Sequence, residues 1–166
     1  GNDLLTGGLD NDTLRANAGQ DTLYGNEGTD ALIGGSGVDL LDGGDDDDVI
    51  SNVGVGDTVI GGSGTDTVYY ALTNAGTAIN LDMRTSTITN GSLNGVEYIS
   101  GFMSRLDDTV VADTQVLLRL DGNDGIDSLT LDYSGPLVDG RTVSRLDFGS
   151  LSFSSNEEVY LSDGSL

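Results

Sequence analysis

The chain has 166 residues and a formal charge of −22, from 28 acidic against 6 basic residues, with 26 glycines and neither histidine nor cysteine. That charge excludes nucleic acid, which needs clustered Lys and Arg, and disfavours an anionic membrane surface. Without Cys or His there are no disulfides, no thiolate or imidazole metal sites and no Ser-His-Asp or Cys-His catalytic groups. Apart from Glu27, Glu97, Glu157 and Glu158, every acid is aspartate. A short, stiff carboxylate suits a turn that holds a hard cation near the backbone; an acidic solvated surface or halophilic adaptation is the blander account. No run of ~18 apolar residues exists to span a membrane. The opening GNDLLTGGLD shows no signal peptide and begins partway through a repeat, so the expectation is a piece of a larger protein.

Along the first part of the chain aspartate recurs every nine residues, at Asp3, Asp12, Asp21, Asp30, Asp39, Asp48, Asp57 and Asp66. Two residues after each stands an aliphatic: Leu5, Leu14, Leu23, Leu32, Leu41, Ile50, Val59 and Val68. Glycines keep the same frame, as in GGSGVDLLD (34–42) and GGSGTDTVY (61–69). The glycine-rich half can adopt left-handed angles and so turn tightly with its carbonyls inward. The closing triplet reads as a very short strand with its middle residue inside and its Thr, Val, Leu and Tyr neighbours outside. One nonapeptide cannot bury its single aliphatic, so neighbours must stack. Two nonapeptides, 18 residues, make one coil with a strand on each side.

The pattern GGxGxDxUx resembles the calcium-binding nonapeptide of the RTX (repeat-in-toxin, hemolysin-type) family, and residues 1–69 carry it throughout. The resemblance implies an all-β, right-handed parallel β-roll with calcium ions lined up between successive coils. In that family an ion lies between repeats two apart. It takes the aspartate and the second and fourth carbonyls of one repeat, and the aspartate and the first and third carbonyls of the repeat one coil on.

Transferred to this chain, the scheme pairs Asp12 with Asp30 through the carbonyls of Gly8, Asp10, Gly25 and Glu27. It pairs Asp30 with Asp48 through Asn26, Gly28, Gly43 and Asp45. Asp48 pairs with Asp66 through Gly44, Asp46, Gly61 and Ser63. On the alternate repeats Asp21 pairs with Asp39 through Asn17, Gly19, Gly34 and Ser36, and Asp39 with Asp57 through Gly35, Gly37, Asn52 and Gly54. A sixth site, Asp3 with Asp21, would use Gly1, Ala16 and Ala18 but is cut short, so five or six Ca²⁺ ions are expected. All-oxygen ligands on flexible glycine turns suit calcium better than octahedral magnesium, and zinc and copper lack their usual ligands. Two repeats depart from the pattern: ANAGQDTLY (16–24) replaces its paired glycines, and NVGVGDTVI (52–60) places Val55 at a glycine position. A positive φ at Val55 would distort the sites around Asp57.

Residues 70–166 lose the register. Strand-like runs persist at 77–83, 95–100, 109–112, 115–120, 128–133 and 157–162. GNDGIDSLT (122–130) fits the repeat frame, with Asp127 as its aspartate and Leu129 inside, and Asp107-Asp108-Thr-Val is a fainter echo. The expectation is two regions: a calcium-binding roll over 1–69, and over 70–166 a continuation in wider coils whose last strands cap the open end. A separate small β-sandwich is the alternative for the second.

No enzyme is expected here. GGSGV and GGSGT stop short of G-x-S-x-G, DGNDG (121–125) lacks the EF-hand spacing, and with so many aspartates a carboxylate pair at glycosidase spacing carries little information. The leading expectation is a calcium-triggered folding module of a secreted bacterial protein, exported unfolded through the type I secretion machinery and folded outside the cell, with no nucleic acid or inserted membrane as partner. The alternative is an adhesin or surface-layer module with glycan or self-assembly contacts, favoured if Tyr24, Tyr69, Tyr70, Tyr98 and Tyr160 converge.

Overall fold

The computed structural model describes residues 1–72, 75–83, 85–112, 117–121, 128–131 and 150–153, and among these every regular element is a β-strand. The eight repeats form β1 (Leu4–Gly8), β2 (Thr13–Ala18), β3 (Thr22–Glu27), β4 (Ala31–Ser36), β5 (Leu40–Asp45), β6 (Val49–Val53), β7 (Thr58–Ser63) and β8 (Thr67–Ala71). Odd strands pair in parallel with odd, and even with even. Leu23 stands against Leu5 and Leu41, and Leu32 against Leu14 and Ile50. The chain is therefore a parallel β-solenoid whose regular coils advance 18 residues at each step, as the hydrogen bonds between successive coils also show.

The strands are longer than the triplet expected from the sequence. Each begins one residue after the aspartate and runs on into the glycine half, so the first residue of the following nonapeptide (Gly25, Gly34, Gly43 or Gly61) also points inward. The reason is steric. Coils stack so closely there that a Cβ at Gly43 would collide with the Asp48 carboxylate and the Gly61 carbonyl oxygen. Ala16 stands at the same position in the repeat at 16–24 and is buried.

The repeat aliphatics form the core. Leu23, Leu32, Leu41, Ile50, Val59 and Val68 are fully buried, one column behind each sheet. Burial of such a side chain is worth about 1.5–3 kcal/mol, and a coil supplies only two, so each coil depends on its neighbours.

Past β8 the coil widens. The next strands are β9 (Asn80–Asp82), β10 (Thr87–Ile88), β11 (Gly91–Asn94), β12 (Tyr98–Phe102) and β13 (Thr109–Ala112), followed by β14 (Leu117–Asp121), β15 (Ser128–Leu131) and β16 (Ser150–Phe153). β11 stacks in parallel on β7, and β12 on β8. Between them the chain inserts β9 and β10, with β10 antiparallel to both β9 and β11. The result is a ten-stranded sheet, β1-β3-β5-β7-β11-β10-β9-β13-β15-β16, facing a six-stranded one, β14-β12-β8-β6-β4-β2. Every described strand after β8 joins one of these two sheets, whereas a separate sandwich would have formed its own. Ile79, Leu81, Ile88, Leu93, Ile99, Met103 and Val110 continue the buried core. The runs expected at 77–83, 95–100, 109–112, 115–120 and 128–133 all contain strands, while 157–162 and Asp127 lie outside the described residues. The short β10 and β11 escaped the sequence reading.

Candidate metal centre

The repeat aspartates lie at the turns between strands, and six of them, Asp21, Asp30, Asp39, Asp48, Asp57 and Asp66, are at most 3% exposed. They form two rows. One runs Asp12, Asp30, Asp48, Asp66 and precedes the six-stranded sheet; the other runs Asp3, Asp21, Asp39, Asp57 and precedes the ten-stranded sheet. Within each row Oδ1 accepts a hydrogen bond from the backbone N–H of the aspartate one coil earlier: Asp12 to Asp30 at 2.7 Å, Asp30 to Asp48 at 2.8 Å, Asp48 to Asp66 at 2.9 Å, and likewise Asp3 to Asp21, Asp21 to Asp39 and Asp39 to Asp57.

The second oxygen behaves differently. Oδ2 of Asp21, Asp30, Asp39, Asp48 and Asp66 is buried and has no hydrogen-bond partner. A buried carboxylate oxygen left alone is costly, and native structures rarely tolerate it without an ion or water. Those of Asp30, Asp39, Asp48 and Asp66 lie beside the first-position glycine of their own repeat, which abuts a carbonyl of the coil that follows. A Cβ built on Gly25 would meet both Asp30 Oδ2 and the Gly43 carbonyl; on Gly43 it would meet Asp48 Oδ2 and the Gly61 carbonyl, and on Gly34 Asp39 Oδ2 and the Asn52 carbonyl. Each gap between coils thus brings a carboxylate oxygen to a first-position carbonyl.

Carbonyls also face the gap from below. Those of Gly1, Asp10, Asn17, Gly19, Asn26, Gly44 and Asp46 lie against Gly19, Gly28, Gly35, Gly37, Gly44, Gly62 and Gly64 of the next coil, so closely that only a missing Cβ permits the approach. Positions two and four take left-handed φ, at Asn26 (80°) and Gly28 (115°) for example, and at Asp46 (75°), where Asp tolerates it. Two third-position carbonyls expected as ligands also accept hydrogen bonds, Ser36 from the Gly19 N–H and Ala18 from the amino group of Gly1.

Burial pushes the carboxyls of Asp48 and Asp57 up to about 6, and that of Asp66 upward, with neighbouring carboxylates adding to the rise. The gaps therefore hold negative charge at a cost that a cation would relieve. Among the described residues no three side chains of His, Cys, Asp or Glu gather to hold a metal. The donor set here is instead two carboxylates with backbone carbonyls, all hard oxygen on pliable turns, which fits calcium.

The repeat at 52–60 deviates, though not as its valine suggested. Val55 avoids positive φ; the left-handed residues shift to Asn52 (55°) and Gly56 (99°), and the register slips between Ser51 and Val53. Val53 turns into the core, and Asp57 Oδ2 accepts from the Gly54 N–H at 2.7 Å.

A model of the RTX calcium-binding nonapeptide repeat, in four copies, matches residues 1–32, 24–52 and 56–72. Residues 1–52 and 56–72 are RTX calcium-binding repeats. The RTX match leaves out Val53–Val55, where the left-handed positions shift. Comparison with curated proteins and with solved structures yields no match.

One residue of the row was missed from the sequence. Glu97 stands where an aspartate would on the coil above Asp66: its Oε2 accepts from the Asp66 N–H at 2.8 Å across 31 residues, and Tyr98 N–H bonds the Asp66 carbonyl. Asp108, just before β13 in the ten-stranded sheet, repeats the arrangement over β9, with Oδ1 accepting from Ile79 N–H and Ser104 Oγ. The available signal was an acid two residues before a buried aliphatic, Glu97 before Ile99 and Asp108 before Val110, at spacings other than 18.

Proposed function

We propose that this chain is a non-enzymatic folding module of a secreted bacterial RTX protein, disordered at intracellular calcium and folded by calcium outside the cell after type I export. The observation that carries the proposal is the set of buried, unpartnered Oδ2 atoms, those of Asp30, Asp39, Asp48 and Asp66 lying near a carbonyl of the neighbouring coil. Five or six ions, placed as the repeat scheme assigns them, would satisfy these oxygens.

The energetics favour a switch. Calcium that binds only the folded coils stabilises them by mass action. A site held at ten times its Kd adds about 1.4 kcal/mol, so five such sites add about 7 kcal/mol, comparable to the ~5–15 kcal/mol of a whole domain. Extracellular-type sites have Kd of about 10⁻⁴–10⁻³ M, far above cytosolic free calcium. Against this stand 26 glycines and a charge of −22, which oppose compaction through backbone entropy and repulsion.

The aromatics named for the adhesin reading are spread over both sheets, with Tyr69 and Tyr98 on the adjacent strands β8 and β12. Tyr24 lies on the ten-stranded sheet, Tyr69 and Tyr98 on the six-stranded one, and Tyr70 is buried; Tyr160 lies outside the described residues. Far-UV circular dichroism tests the proposal. Stripped protein titrated with calcium should pass steeply from coil to β, and magnesium should fail to drive the change. A β-rich spectrum that persists in chelator would overturn it.

A further inference from the structure

The two aspartate rows end differently. In the row of Asp57 the next coil begins β11 at Gly91, which packs against the Asp57 carbonyl and brings no carboxylate. There Asp57 closes its own second oxygen with the Gly54 N–H. In the row of Asp66 the next coil brings Glu97, and Asp66, with 0% exposure, leaves Oδ2 without a partner. That oxygen points upward. A Cβ on Gly61 would meet both Asp66 Oδ2 and the Gly95 carbonyl, as one on Gly43 meets Asp48 Oδ2 and the Gly61 carbonyl. Gly95, at φ 59°, lies in turn against the Gly62 carbonyl, the second-position donor of the repeat below.

We propose that a calcium ion binds between the last regular repeat and the first wide coil, held by Asp66, Glu97 and the carbonyls of Gly62 and Gly95, and joins the two parts of the solenoid. The site rests on the calcium reading of the repeats, but two of its four ligands, Glu97 and Gly95, lie beyond the family match, which stops at residue 72. Glutamate is an ordinary calcium ligand, and its hydrogen bond to the Asp66 amide reproduces the geometry made by each aspartate below it. The ion would tie the 18-residue step to the 31-residue one, so that folding of the repeats templates the coil that follows.

Two measurements on the full chain decide the matter. Equilibrium dialysis against calcium should give one ion fewer per chain for Glu97→Gln than for the unsubstituted protein, with the same circular dichroism in saturating calcium. Crystals grown with calcium or terbium should show an anomalous peak between Asp66 and Glu97, a readout independent of how the variant folds. An unchanged ion count in the variant, or no peak at that gap while the repeat gaps are filled, overturns the site alone. A chain that binds no calcium at all overturns the folding-module reading as well.

Discussion

The regular repeats and the wide coils that follow share two sheets and one continuous core, yet they are held differently. Between β1 and β8 a coil offers two buried aliphatics, and the coils meet through carboxylates and carbonyls at the turns. Between β9 and β13 the chain adds an antiparallel insert and packs Ile79, Leu81, Met83, Ile88, Leu93 and Val96 in a thicker core. One solenoid can therefore pass from stacking through turn carboxylates and carbonyls to ordinary hydrophobic burial by lengthening its turn.

Chelation should separate the two regions most clearly. Hydrogen exchange after calcium removal should show complete loss of amide protection over 22–63, with residual protection at 79–82 and 98–102. Simultaneous loss in both regions would mean a single cooperative unit and no division of labour.

Core truncations come next. Leu41→Ala and Leu81→Ala each remove a fully buried side chain, at about 2–5 kcal/mol. Excess calcium should restore the melting temperature of the first far more than that of the second. Equal recovery would show that the ions support both regions alike.

Acid gives a smaller effect of defined sign. Asp48 and Asp57 rise from 3.8 to about 6 because burial disfavours their charge. Their contribution to folding without calcium is fully present below about 3.8 and is lost as pH rises through about 6. Calcium-stripped protein should therefore gain β-signal as pH falls from neutral towards 4.5, and Asp48→Asn with Asp57→Asn should flatten that response. A gain of the same size in the double variant would assign the effect to net charge alone.

The smallest effects concern the irregular repeat. Val55→Gly should not stabilise the chain, since Val55 bears no left-handed strain and packs partly against the core. Asn52→Ala, at φ 55°, should cost about 1 kcal/mol. Both are read from chemical denaturation in saturating calcium.

How far the sequence could be read follows the same division. In the repeats every position serves a single purpose. The aspartate closes an amide below, the aliphatic two residues on enters the core, and left-handed residues fill positions two and four. A spacing of nine therefore discloses coil length, both sheets and the paired aspartates. Val55 misled because the turn could shift by one residue onto Asn52 and Gly56, a choice made by backbone relaxation and the burial of Val53. Glu97 was hidden because its partner lies 31 residues away instead of 18, and a step of that length, carrying a two-residue β10, has no periodicity to announce it.

The aspartate ladder also gives the stack a direction. Asp30, Asp39, Asp48 and Asp66 each turn one oxygen back to an amide of the coil before and hold the other near a carbonyl of the coil after, whereas Asp57 closes its second oxygen within its own repeat. The two faces of a growing roll are consequently unlike. A coil joining at the later face arrives carrying the acceptor that closes a waiting amide, whereas one joining at the earlier face brings an amide to an acceptor already in place. Assembly resembles a crystal with polar ends, in which addition at one face and addition at the other are different reactions with different rates.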